Sequence, residues 1–130
     1  MDIGVFIFDT DYSINISELA RELEERGYES LFVPEHTHIP TSRRSPFPGG
    51  GELPKQYSHT LDPFVSLGFA AASTKNLKIG TGICLLPQRD PIVTAKSIAS
   101  LDLMSKGRFV LGLGGGWNVD EMENHGVTYK

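Results

Sequence analysis

Residues 77–113 read LKIGTGICLLPQRDPIVTAKSIASLDLMSKGRFVLGL and hold a complete strand–helix–strand unit. Leu77 to Ile83 is a β-prone apolar run with glycines at 80 and 82, so a strand is predicted there. Asp90-Pro91 supplies a side-chain cap and a first-turn proline, and a helix is predicted from it to about Lys106. Arg108 to Leu113 then returns to strand composition. Two strands joined through a helix of this length are the repeating unit of a parallel sheet.

The same grammar extends toward the amino end. Ile3 to Phe8 is a short apolar run, as expected of a strand buried on both faces. Asn15 can cap a helix with Glu18 three residues on, and Ile16, Leu19, Ala20 and Leu23 form one apolar stripe ending at Gly27. Leu31 to Val33 is the second strand. A long polar stretch from Glu35 to Leu61 follows before Asp62-Pro63 opens a helix with Phe64, Leu67, Gly68 and Ala71 on one face. A fourth helix is predicted after Asn118. Four strands with intervening helices define the α/β class, with two architectures open: a doubly wound sheet, or a (β/α)8 TIM barrel. A barrel takes about 250 residues, so on that reading residues 1–130 are its amino-terminal half.

The chain of 130 residues carries a net charge of −4 and no cluster of Lys or Arg, which argues against nucleic-acid or anionic-membrane partners. Cys84 is the lone cysteine, which excludes an internal disulfide and a Cys-rich zinc site. Nothing resembles a signal peptide or a membrane span. A soluble cytoplasmic protein is expected.

In parallel α/β folds, ligands meet the carboxyl ends of the strands. Here those ends read FDTD, VPEHTH, GICLLPQ and GLGGGWN. His36-Thr37-His38 admits a metal reading, because barrel metallohydrolases carry an HxH pair and two rings at this spacing on extended backbone point the same way. Asp9, Asp11 and His59 offer no recognisable spacing for further ligands, so no metal is assigned. His38 and His59 are read as solvated or backbone-bonded loop residues. His36 lies nearest the strand end and can exchange a proton with a ligand there. Gly112 to Trp117 fails the dinucleotide fingerprint, which requires glycine at Trp117. Glycines at a strand end still let a flat ligand approach the backbone. Gly80 and Gly82 mark a bulge, a close ligand approach or a tight packing layer. Cys84 is read as a small core residue. The Glu35–Leu61 loop, with Arg43, Arg44 and Gly49 to Gly51, is either a site wall or a disordered segment.

The stretches ESLFVPEHTHIP and GTGICLLPQRDPIVTAKSIASLDLMSKGRFVLGLGGGWNVDEMENHG resemble the luciferase-like monooxygenase superfamily, in particular its deazaflavin-dependent (coenzyme F-420) oxidoreductase branch. The resemblance runs from Ile3 to the end. It implies a (β/α)8 barrel holding FMN or coenzyme F-420 at its carboxyl end, with a small organic substrate stacked over the ring. It further implies that His36 is catalytic, close to ring and substrate, with Glu35 where some relatives carry Asp. Gly82-Ile83 matches the bulge on which the ring rests, often a non-prolyl cis peptide in relatives. Gly114, Gly115, Gly116 and Trp117 match the strand-four end that lines the ring.

Trp117 departs from the superfamily's sugar-phosphate dehydrogenases, which place a catalytic acid there; an indole cannot supply that proton. Glu121, four residues along the new helix, is expected to face solvent. With four of eight strands present, the open first and fourth strand edges are expected to drive homo-oligomerisation. The leading functional expectation is the amino-terminal part of a flavin- or deazaflavin-dependent oxidoreductase, either a monooxygenase or a hydride-transfer enzyme. A non-catalytic half-barrel assembly module is the alternative, and a metal-dependent hydrolase the third.

Overall fold

The computed structural model describes residues 1–128. Its elements run β1 Gly4–Phe6, α1 Ile16–Glu25, β2 Ser30–Val33, α2 Pro63–Ser73, β3 Lys78–Thr81, β4 Cys84–Leu85, α3 Pro91–Ser105, β5 Phe109–Val110, β6 Leu113–Gly114 and α4 Val119–Asn124. Four strands form one parallel sheet in the order β1-β2-β3-β5, and β4 pairs in parallel with β6. This α/β arrangement, with strands adjacent in chain order, is that of a (β/α) barrel rather than a sheet whose order reverses.

The predicted caps hold. Asn15 Oδ1 accepts the Ser17 N–H at 2.9 Å, and Asp62 Oδ1 accepts Phe64 N–H and Val65 N–H. Asp90 Oδ1 accepts Val93 N–H at 2.8 Å ahead of Pro91. Arg108 closes the unit at the other end. Its guanidinium donates to the carbonyls of Ala71, Thr74 and Leu77, and its Nε to the Ser105 carbonyl, satisfying groups left over at the ends of α2 and α3.

Register separates the two sheet faces. Val5, Leu31, Ile79 and Phe109 lie side by side and pack on α1, α2 and Leu101 of α3, where Leu31, Ile79, Leu67 and Ala70 are fully buried. Phe6, Phe32, Gly80 and Val110 form the row on the opposite face. On that row a Cβ at Gly80 would meet the Phe32 ring at 2.3 Å and the Val110 carbonyl at 2.7 Å, which assigns Gly80 to tight packing. Phe6 is 53% exposed, so the expectation that the first strand is buried on both faces is corrected: helices cover one face, while Phe6 and Val110 on the other are exposed.

The third and fourth strands are each interrupted, another difference from the sequence reading. β3 breaks at Gly82-Ile83 before β4, and β5 breaks at Leu111-Gly112 before β6. Across the gap the Thr81 hydroxyl both donates to the Gly112 carbonyl (2.8 Å) and accepts the Gly112 N–H (2.9 Å), replacing a missing rung of ladder. A Cβ at Gly112 would lie 2.2 Å from the Thr81 carbonyl oxygen, so this closeness requires glycine. The cis peptide that relatives often carry at this bulge is not found here: all peptide bonds among the described residues are trans.

Candidate functional site

At the carboxyl ends of the strands lies a cavity of about 390 Å³, within the ~300–1,000 Å³ of small-molecule sites. Phe6, Phe8, His36, Tyr57, Gly82, Ile83, Gly115, Gly116 and Trp117 are among its lining residues. The structure thus brings together six of the seven site residues proposed from sequence. Gly114 stands behind the wall: a Cβ there would lie 1.8 Å from Ile83 Cδ1, so it makes room for the Ile83 side chain. Gly82 serves a similar purpose beneath the Phe6 ring, 2.6 Å from where its Cβ would be. At Gly115 an added Cβ would meet nothing within 4 Å, which leaves the backbone itself open to a flat ligand, and Gly116 turns the chain at φ +81°.

Aromatic rings form one side. His36 packs against Tyr57 (5.2 Å between centroids) and Trp117 (5.9 Å), and Phe8 against Tyr57 (4.8 Å). Phe47 closes on both Tyr57 and Trp117, and the Arg43 guanidinium sits 5.6 Å over the indole. Tyr57, Phe47 and Arg43 all belong to the loop after β2, which is therefore a wall of the site. Sequence reasoning singled out Arg43 and Arg44 but missed both rings; aromatic residues inside an otherwise polar loop were the available signal.

The loop is pinned to α4. Arg44 donates from its backbone N–H (2.6 Å) and its Nε (2.7 Å) to Asp120, and from its guanidinium to Glu123. The backbone bond from Arg44 is the main cause that holds the Asp120 carboxyl below its ordinary range. The Ser45 hydroxyl accepts the Val119 N–H at 3.0 Å, supplying the cap that Asn118 does not.

Glu121 is the main correction to the sequence reading. It is fully buried rather than solvent-facing, because α4 turns its first-turn acids inward against the β2 loop. Glu121 Oε2 lies 2.8 Å from His36 Nδ1, and Oε1 accepts the Thr37 N–H at 3.1 Å. The two histidines of HxH part company: His36 turns to Glu121, whereas His38 bonds the Thr37 hydroxyl (3.0 Å) and the Asn124 amide (2.9 Å). His38 is thus side-chain bonded rather than backbone-bonded, and His59 pairs with Asp11 at 2.8 Å. Among the described residues no group of three or more His, Cys, Asp or Glu side chains is placed to hold a metal.

Glu35 also lines the cavity and is almost fully buried. Its carboxylate accepts the Leu85 N–H (2.6 Å) and Arg89 Nε (2.6 Å), and the Arg89 guanidinium also reaches Asp62 at 2.8 Å. Burial acts against the Arg89 charge, yet the bonds to Glu35 and Asp62 outweigh it and hold the group above its ordinary value. Cys84 is buried, as expected of a core residue; burial first, and the Glu35 charge second, push its thiol up to about 12.

A parallel strand–helix sheet with an aromatic, glycine-floored cavity at its carboxyl end defines a (β/α)-barrel protein of the ligand-binding kind. The chain belongs to the luciferase-like monooxygenase family, whose model matches residues 1–130. It is 45% identical over 130 residues to an uncharacterized protein of Mycobacterium tuberculosis, covering 98% of this chain and 46% of that protein. The chain therefore spans less than half the length of that curated relative. Among solved structures, it is similar to the oxygenating constituent of 3,6-diketocamphane monooxygenase from Pseudomonas putida in complex with FMN, with a TM-score of 0.75 and 22% identity over 98% of this chain and 33% of that one. It is likewise similar to the coenzyme F420 dependent tetrahydromethanopterin reductase from Methanopyrus kandleri, with a TM-score of 0.70 and 24% identity over 98% and 30%. At these identities the two structures speak to the fold.

Proposed function

We propose that residues 1–130 form the amino-terminal half of a (β/α)8 barrel in a flavin- or deazaflavin-dependent oxidoreductase, whose cofactor is coenzyme F-420 or FMN and whose substrate is a small organic molecule. The observation that carries this reading is the cavity of about 390 Å³, whose lining combines open backbone at Gly115 with the rings of His36, Tyr57 and Trp117. A flat tricyclic ring suits such a lining: the glycine removes a side chain that would hold it off, and the aromatic groups exclude water. Family membership supports the same class, as do FMN in the Pseudomonas putida structure and the coenzyme F420 dependence of the Methanopyrus kandleri enzyme.

In this reading Gly82, Ile83, Gly114, Gly115, Gly116 and Trp117 hold the ring and His36 is the catalytic residue. The ring supplies the redox chemistry, by hydride transfer or by reaction with oxygen, while the chain binds, orients and moves protons. His36 exchanges a proton with the reacting group; Tyr57 and Trp117 desolvate it. The uncovered sheet face bearing Phe6 and Val110 is where the remaining strands of the barrel pack. We place the protein in the cytoplasm as a homo-oligomer; no described helix is long and apolar enough to cross a membrane.

Titrating the full-length protein with FMN and with coenzyme F-420, followed by absorbance and fluorescence, tests the assignment. Saturable binding of one ring is expected, and no saturable change with either would sink it.

A further inference from the structure

Glu121 contributes to this site without lining the cavity. It is fully buried, its Oε2 bonds His36 Nδ1 at 2.8 Å, and its Oε1 is engaged by the Thr37 N–H at 3.1 Å. A carboxylate only accepts hydrogen bonds, so the hydrogen in the His36–Glu121 contact sits on Nδ1. Neutral His36 then carries its lone pair on Nε2, which makes no hydrogen bond among the described residues, on a ring that lines the cavity. Thr37 also contributes its hydroxyl, 2.8 Å from His125 Nε2 and 3.0 Å from His38 Nδ1, so the residue that fixes Glu121 is itself held from two directions.

We propose that Glu121 is a positioning residue for His36: it fixes the Nδ1–H tautomer, aims bare Nε2 at the reacting atoms and stabilises the imidazolium formed when Nε2 takes a proton. This rests on the oxidoreductase reading for its consequence, though not for its geometry. A bound ring would supply the hydride chemistry; His36 would take up at Nε2 the proton a substrate gives when it is oxidised, and give it back when it is reduced. Either way the charge gained or lost on His36 is faced by Glu121 within hydrogen-bond distance. A buried carboxylate behind a catalytic histidine does the same work in serine proteases, where its amide replacement gives the wrong tautomer and lowers kcat by about 10⁴-fold.

Glu121→Gln makes the test sharp, because the amide cannot serve both neighbours in the old way. The Thr37 N–H requires the amide oxygen, which turns the amide NH2 toward His36 Nδ1 and forces the proton to Nε2. Imidazole ¹⁵N shifts of ligand-free protein should therefore show His36 as Nδ1–H in the wild type and as Nε2–H in E121Q. With ring and substrate bound, E121Q should lose about 10²–10⁴-fold in kcat with KM unchanged. The double variant H36N/E121Q should be no slower than H36N, since Glu121 acts only through His36. A wild-type Nε2–H tautomer, a wild-type kcat in E121Q, or additive losses in the double variant would overturn the proposal. If E121Q does not fold, the wild-type tautomer decides alone. Should the protein bind neither ring, the functional reading fails and the tautomer measurement still decides the role of Glu121.

Discussion

Replacing Arg89 by leucine leaves the buried Glu35 carboxylate without its cation. The Glu35 side chain is 1% exposed and the Arg89 side chain 18%, so water cannot replace the lost guanidinium. Removing one partner of a buried ion pair costs about 3–5 kcal/mol, mostly from the uncompensated charge left behind. The accompanying loss of the Asp62 pair, whose carboxylate is 47% exposed, adds only about 0–1 kcal/mol. The contact of Arg89 over the Phe64 ring at 4.8 Å adds about 0.5–1 kcal/mol. A total of about 5 kcal/mol, at an m-value of about 2 kcal/mol/M, lowers the urea midpoint by roughly 2.5 M. Urea unfolding at pH 7 followed by circular dichroism measures it. The diagnostic outcome is a second substitution that repairs the first: Glu35→Gln removes the stranded charge and keeps an acceptor for the Leu85 N–H, so E35Q/R89L should be more stable than R89L. An R89L midpoint close to wild type, or a double variant no more stable than R89L, refutes the reasoning.

Four further outcomes follow from particular contacts. Glu24 accepts the backbone N–H groups of Lys75, Asn76 and Leu77 at 2.5–3.0 Å, and although burial pushes the other way these bonds hold its carboxyl below the ordinary value. Its stabilisation is present above the ordinary carboxylate range and lost as pH falls through the depressed value, so Glu24→Gln should be less stable than wild type at pH 7, with the gap closing in acid unfolding curves. Gly112→Ala drives a Cβ to 2.2 Å from the Thr81 carbonyl oxygen and should cost about 1–3 kcal/mol. Gly115→Ala meets nothing within 4 Å and should leave stability within about 0.5 kcal/mol while weakening ring binding; unchanged ring affinity would remove Gly115 from the site. The Cys84 thiol, buried and pushed up to about 12, should be inert to thiol reagents at pH 8 until the protein unfolds; a fast native reaction would contradict its placement.

What was legible in the sequence was what short-range chemistry fixes. Asn15, Asp62-Pro63 and Asp90-Pro91 each name a helix start because a cap acts within three residues, and they were read correctly. The strand ends VPEHTH and GLGGGWN are where loops meet in such a fold, and His36 and Trp117 from those ends both line the cavity. Strand length was read less well: the breaks at Gly82 and Gly112 depend on each other through the Thr81 hydroxyl, an exchange across 31 residues that no local pattern reports. Exposure of Phe6 was also hidden, because an apolar strand looks the same whether or not a second layer of chain covers its far face.

Glu121 shows why the most consequential contact was also the least legible. Its helix has six residues, too few for a periodicity that separates an inward from an outward face. Its inward turn is imposed from outside by Arg44 on Asp120, by Ser45 on the Val119 N–H and by Thr37 on Glu121 itself, all from the loop after β2. That loop also contributes Tyr57 and Phe47 to the aromatic wall. One segment therefore both walls the cavity and orients the helix that sets the state of His36. A substitution at Arg44, which lines no part of the cavity, should accordingly be felt at the His36 ring, and Arg44→Ala should loosen the Nδ1–Glu121 contact before it lowers global stability, since the Arg44 side chain is 63% exposed.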